Sequence, residues 1–181
     1  MDMAAIQTAL VGWIAAATGI ASGSVIVADQ GGPRPSKPFA TVKVTDIANM
    51  GAYDAMSTSM AGGTPDPGEE VVITAGGHRE LSVSVQLFTA STQGTASAMA
   101  LASKLRAQAP ISEALFDAAG VTLAQVGAAR NLAEVFRTTQ EGRAQVDATL
   151  YATESVTSLT TYIETVVVND GEPNEFTAPE A

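Results

Sequence analysis

Val25-Ile26-Val27-Ala28-Asp29-Gln30-Gly31-Gly32-Pro33-Arg34-Pro35-Ser36-Lys37-Pro38-Phe39-Ala40-Thr41-Val42-Lys43-Val44 places two strand-like runs on either side of a glycine–proline elbow. Pro33, Pro35 and Pro38 each hold φ near −65° and remove a backbone donor, so the crossing can be neither helix nor central strand. The elbow is stiff, and Arg34 and Lys37 make it locally basic. A free linker would be richer in Gly and Ser, whereas a stiff segment fixes where its side chains point. After it, Ala40, Val42 and Val44 alternate with Thr41, Lys43 and Thr45, the period of a half-buried strand over residues 39–47.

Upstream, Asp2 is a suitable N-cap for a helix over residues 3–18. Ile6, Leu10, Trp13, Ile14 and Ala17 form its apolar stripe, and Thr18-Gly19 end it. Downstream, residues 48–69 show no period and read as a long loop containing Met50, Met56 and Met60, then Gly62-Gly63-Thr64-Pro65-Asp66-Pro67-Gly68. A structureless stretch of that length is usually functional or disordered. Thioethers repack readily, which suits contact with a partner; the alternative is an incidental floppy loop.

Val71 to Thr74 and Glu80 to Phe88 read as two strands separated by a turn or bulge at Ala75-Gly76-Gly77-His78. A helix over residues 95–108 should pack through Ala98, Met99, Ala102 and Leu105. A second, from Pro110 to Gly120, should bury Ile111, Leu115 and Ala118. Val121 to Ala128 and Arg143 to Thr153 read as strands, the latter with Val146, Ala148, Leu150 and Ala152 inward. Thr160 to Val168 is apolar on both faces, as in a covered strand or one continued into a neighbour. Residues 169–181 are acidic and aperiodic and read as a disordered tail. Together these runs predict one α+β domain over residues 1–168: a mixed, largely antiparallel sheet with an N-terminal helix and a central helix pair packed on it.

Composition narrows the function. The chain has 181 residues, enough for one sizeable core, but only 15% are charged against ~25% in an average domain. A polar, weakly charged surface suits burial against partners, although an alanine-rich genome would give the same bias. Net charge is −10, and no Lys or Arg follows Arg143. Binding nucleic acid by counterion release needs clustered cations, so that class is disfavoured. Cys is absent, which removes disulfide and thiol chemistry. No signal peptide is evident, and the first helix is too short to span a bilayer, so a soluble protein is expected.

Catalytic and metal constellations are not found. His78 is the sole histidine, without an adjacent nucleophile and orienting carboxylate, and zinc or iron would need several Cys or His ligands. Asp66, Glu69 and Glu70 lack calcium-loop spacing. Gly31-Gly32 leads into prolines rather than a helix N-terminus, so it offers phosphate no aligned donors. No catalytic residue, cofactor or metal is assigned, and no enzyme is expected.

The elbow, taken with Arg143-Ala144-Gln145-Val146-Asp147-Ala148-Thr149-Leu150-Tyr151 and Thr160-Thr161-Tyr162-Ile163-Glu164-Thr165-Val166, resembles the neck or tail terminator proteins of tailed bacteriophages. In that family an N-terminal helix precedes an xxAxQxxPRPxxPF/Y elbow, matched here by Ala28, Gln30, Pro33, Arg34, Pro35, Pro38 and Phe39. The similarity covers most of residues 3–168 through short structural motifs. It implies a structural virion protein forming a hexameric ring that caps the tail tube and joins it to the head connector. Implied partners are copies of itself, the tail tube protein and a head-completion or connector protein, with no membrane and no specific nucleic-acid binding. Implied locations are the virion neck and, during assembly, the host cytoplasm. Another neck component, such as a head-completion or adaptor protein, would share these features. A non-viral soluble domain with a ligand pocket is the alternative from a different class. Candidate contact residues are Pro33, Arg34, Pro35 and Lys37 at the elbow, and Met50, Met56 and Met60.

Overall fold

An Asp2 carboxylate starts the first helix by accepting from the backbone N–H groups of Ala4 (2.9 Å) and Ala5 (3.2 Å). Helix α1 (Met3–Thr18) ends where Gly19 takes the left-handed conformation, φ 76°, which an L side chain would strain. The computed structural model describes residues 1–28, 33–60, 70–90, 96–132, 134–136 and 139–161. The remaining elements are β1 (Val25–Val27), β2 (Phe39–Met60), β3 (Glu70–Thr89), α2 (Ala98–Gln108), α3 (Glu113–Asp117), β4 (Val121–Val126), β5 (Arg130–Asn131), β6 (Glu134–Phe136) and β7 (Thr139–Thr161).

The architecture is α+β, with a mostly antiparallel open sheet of seven strands. Strand order is β1-β2-β3-β7-β4, and β5 and β6 also pair with β7. β1 runs parallel to β2, with Val25 opposite Ala40 and Val27 opposite Val42. Adjacent parallel strands cannot be joined by a tight hairpin. The elbow must therefore carry the chain back to the start of β2, and three prolines stiffen that crossing. β4 and β7 are antiparallel, with Val121 opposite Ala152 and a register shift between Leu123 and Gln125.

The chain divides into two compact units. Unit 1 comprises Met1–Ala52 with His78–Glu154, and it holds the core. On one sheet face, Ala40, Val42, Leu81, Val83, Val85, Leu87, Ala144, Val146, Ala148, Leu150 and Ala152 are buried, as strand alternation requires. The helices cover them with Ile6, Leu10, Trp13 and Ile14 from α1, Leu101, Ala102 and Leu105 from α2, and Phe116 from α3. Trp13 and Phe116 meet edge to face at 5.8 Å. Each large side chain so buried contributes about 1.5–3 kcal/mol. Unit 2 comprises Tyr53–Gly77 with Ser155–Ala181. Its described residues are the distal parts of β2, β3 and β7, and the Thr74 and Thr157 hydroxyls approach to 3.5 Å across it.

Several expectations are corrected. Residues 48–60 are not loop but the continuation of β2, so Met50 and Met56 lie on a strand. Residues 61–69 lie outside the described residues. The run showed no period because alternation comes from one-sided burial, and the side chains of residues 55–59 are all exposed. Likewise β3 is continuous through Gly76 and Gly77, with no turn between two strands. Chain order Ala109–Ile111 is a 3₁₀ turn, and only Glu113–Asp117 is α-helical. That change of pitch shifts the rotational phase, so Phe116 is buried while Ile111, Leu115 and Ala118 are exposed. In α2, Met99 faces outward and Leu101 takes the core position. Residues 160 and 161 belong to β7, whereas 162–168 and the expected acidic tail lie outside the described residues.

Candidate interface site

The candidate contact residues fall at two places. At the elbow, strand parity determines what the chain meets. Because Ala40, Leu87 and Ala144 face the helices, the residues of opposite parity, Phe39, Phe88, Glu141 and Arg143, share the other face of three adjacent strands. Phe39 and Phe88 stack there at 4.6 Å with planes 9° apart. Arg34 lies over both rings, 4.9 Å from the Phe39 centroid and 4.8 Å from that of Phe88. Its Nη2 donates to Glu141 Oε1 at 3.0 Å, and Lys37 Nζ reaches the same oxygen at 3.1 Å. The Lys37–Pro38 peptide bond is cis. Arg143 extends the cluster, 5.4 Å from the Phe88 ring centre, and donates to Gln86 Oε1 at 2.8 Å.

Exposure across this cluster is uneven. The Glu141 side chain is 8% exposed, whereas those of Arg34 and Lys37 are 50% and 31% exposed. The carboxylate is thus covered by its cations, which themselves still face solvent. Arg34 meets a carboxylate of its own chain. Pro33 and Pro35 flank it as exposed and half-buried backbone. The sequence reading did not single out Phe88, Glu141 or Arg143. The available signal was their parity: an aromatic residue and an acid–base pair at outward positions of strands whose inward positions are apolar.

The second place is β2. Met50 is exposed beside an open depression of about 330 Å³ lined by His78, Thr122, Tyr151 and Thr153. Met56 is exposed within unit 2, and Met60 closes β2, its side chain outside the described residues. Met50 lies in unit 1 with the elbow, and Met56 lies in unit 2. His78 Nδ1 lies 3.3 Å from Thr153 Oγ1, a weak polar contact on the surface. Another open depression, of about 480 Å³, is lined by hydroxyl and amide groups including Thr45, Ser84, Gln125 and Gln145. Among the described residues no three His, Asp or Glu side chains converge as a metal site would require.

Helices on one face of an open sheet, with an ion-paired elbow on the other and exposed methionines along a strand, define a mixed α+β protein. Residues 4–175 match the phage neck terminator protein family, and the chain belongs to that family. It is therefore a structural component of the phage neck and of the virion. No curated protein matches the chain.

Proposed function

We infer that the chain is the repeating subunit of a ring, hexameric by family resemblance, that caps the tail tube and joins it to the head connector. The observation that carries this reading, beside family membership, is the exposure of the distal strands. Residues 55–59 of β2 and 155–158 of β7 are exposed at every position, with Met56 at 73% and Val156 at 65%. A strand with neither face covered gains little from burial, and exposed apolar side chains along it suit a partner surface. Partners would be neighbouring copies, the tail tube protein and a head-completion or connector protein. The protein would act in the host cytoplasm during assembly without catalysis. A heterologous contact repeated around an axis closes a ring when its rotation divides a full turn. An acidic ring would let DNA pass without holding it.

The test pairs Met56→Asp with Val156→Asp in one chain. The variant should fold with an unchanged melting midpoint, yet fail to complement a phage lacking this gene. Electron microscopy should then show free heads and tails of abnormal length. Normal virions at wild-type yield would defeat the reading.

A further inference from the structure

Charge is divided unequally between the two units. All nine cations lie in unit 1, beside ten carboxylates, whereas unit 2 has nine carboxylates and no cation. Asp170, Glu172, Glu175 and Glu180 place four of those nine within residues 169–181. Two such tails repel one another. At the elbow, conversely, two cations share a single carboxylate oxygen. Among the described residues Glu141 is the only acceptor that Arg34 or Lys37 meets, so several N–H donors on each side chain still face solvent.

We propose that the elbow is the receptor for the acidic residues 169–181 of a second copy of this chain. Arg34 is preorganised for that role. The Phe39–Phe88 stack and Glu141 hold its guanidinium in place, so less freedom is lost when it takes a second carboxylate, and its planar donors can bind one bidentately. Lys37 supplies a second point charge beside it. That the tail comes from another copy follows from the ring reading, in which each chain meets a neighbour. From Glu141 the strand runs thirteen residues to Glu154 within unit 1, about 40 Å at strand rise. The acidic segment starts a further fifteen residues on. Pairs at half-exposed cations are individually weak. Tethering each tail within a ring raises its effective concentration toward the millimolar range, so weak pairs suffice.

This inference rests on the ring reading for its geometry, but its chemistry is tested apart from it. The probe is a fluorescein-labelled peptide of residues 169–181. The receptor is the full chain carrying Asp170→Asn, Glu172→Gln, Glu175→Gln and Glu180→Gln, so that its own tail does not compete. Fluorescence anisotropy should show saturable binding that weakens with salt. Adding Arg34→Glu and Lys37→Glu should reduce affinity roughly tenfold, as expected when two weak pairs become repulsions. Light scattering on the wild-type chain reports ring formation separately. No peptide binding, equal binding to the Arg34→Glu, Lys37→Glu receptor, or equal competition by a duplex oligonucleotide would overturn the proposal. Rings that form with wild-type yield from the neutral-tail chain would overturn it too, while leaving the ring reading intact. Peptide binding without any ring would instead uphold the receptor and count against the ring.

Discussion

Two buried residues show how partnering, more than burial itself, sets the cost of a substitution. Trp13 is fully buried on α1, and its Nε1 has no hydrogen-bond partner among the described residues. Trp13→Phe gives up packing but also removes an unsatisfied donor, and an unmet donor costs about 1–3 kcal/mol. The two effects oppose one another, so stability should change by no more than about 1 kcal/mol, against about 3–5 kcal/mol for Trp13→Ala. Urea unfolding followed by circular dichroism measures both, since Trp13 is the only tryptophan and its fluorescence is lost. Glu141 is the opposite case, a buried group whose Oε1 meets two cations. Glu141→Gln leaves Arg34 and Lys37 without their charge partner, but both cations still reach water. The cost should be about 1 kcal/mol, between the values for exposed and buried pairs. The arginine was legible in the sequence because prolines surround it; its partner was not. Glu141 is 107 residues away, and no local pattern connects the two.

At the level of elements, the legible parts are those where one face is buried and the other is not. The α1 stripe and the alternation of Leu81 to Leu87 and of Ala144 to Ala152 follow from single-sided contact with the core, so period alone reveals them. Where neither face is covered, nothing imposes a period, and the distal half of β2 reads as loop although it is strand. The segment between α2 and β4 was misread for a different reason. A 3₁₀ turn rotates the chain by 120° per residue rather than 100°, which exchanges Ile111 and Leu115 for Phe116 as the inward residue. Ile111→Ser should therefore change stability by less than about 0.5 kcal/mol. Phe116→Ala should cost about 3–5 kcal/mol through the cavity left beside Trp13. Thermal unfolding of the two variants decides between the inward assignments.

For the molecule as a whole, family and α+β class were readable from one elbow and the order of elements. The net charge of −10 yields a further expectation: the isolated protein should not retain duplex DNA at ~0.15 M salt in a mobility-shift assay. The lopsided pairing of β2 bears on how the protein can be stored. β1 is three residues long and β2 twenty-two, and the β1–β2 register runs from Ala40 to Val42. A strand edge without a neighbour invites misdirected strand addition, which mutual repulsion between acidic copies opposes. Concentrated subunits should accordingly stay clear at low ionic strength and develop thioflavin-positive fibrils as added salt screens that repulsion. On that expectation, charge and not fold is what keeps free copies of the chain from amyloid.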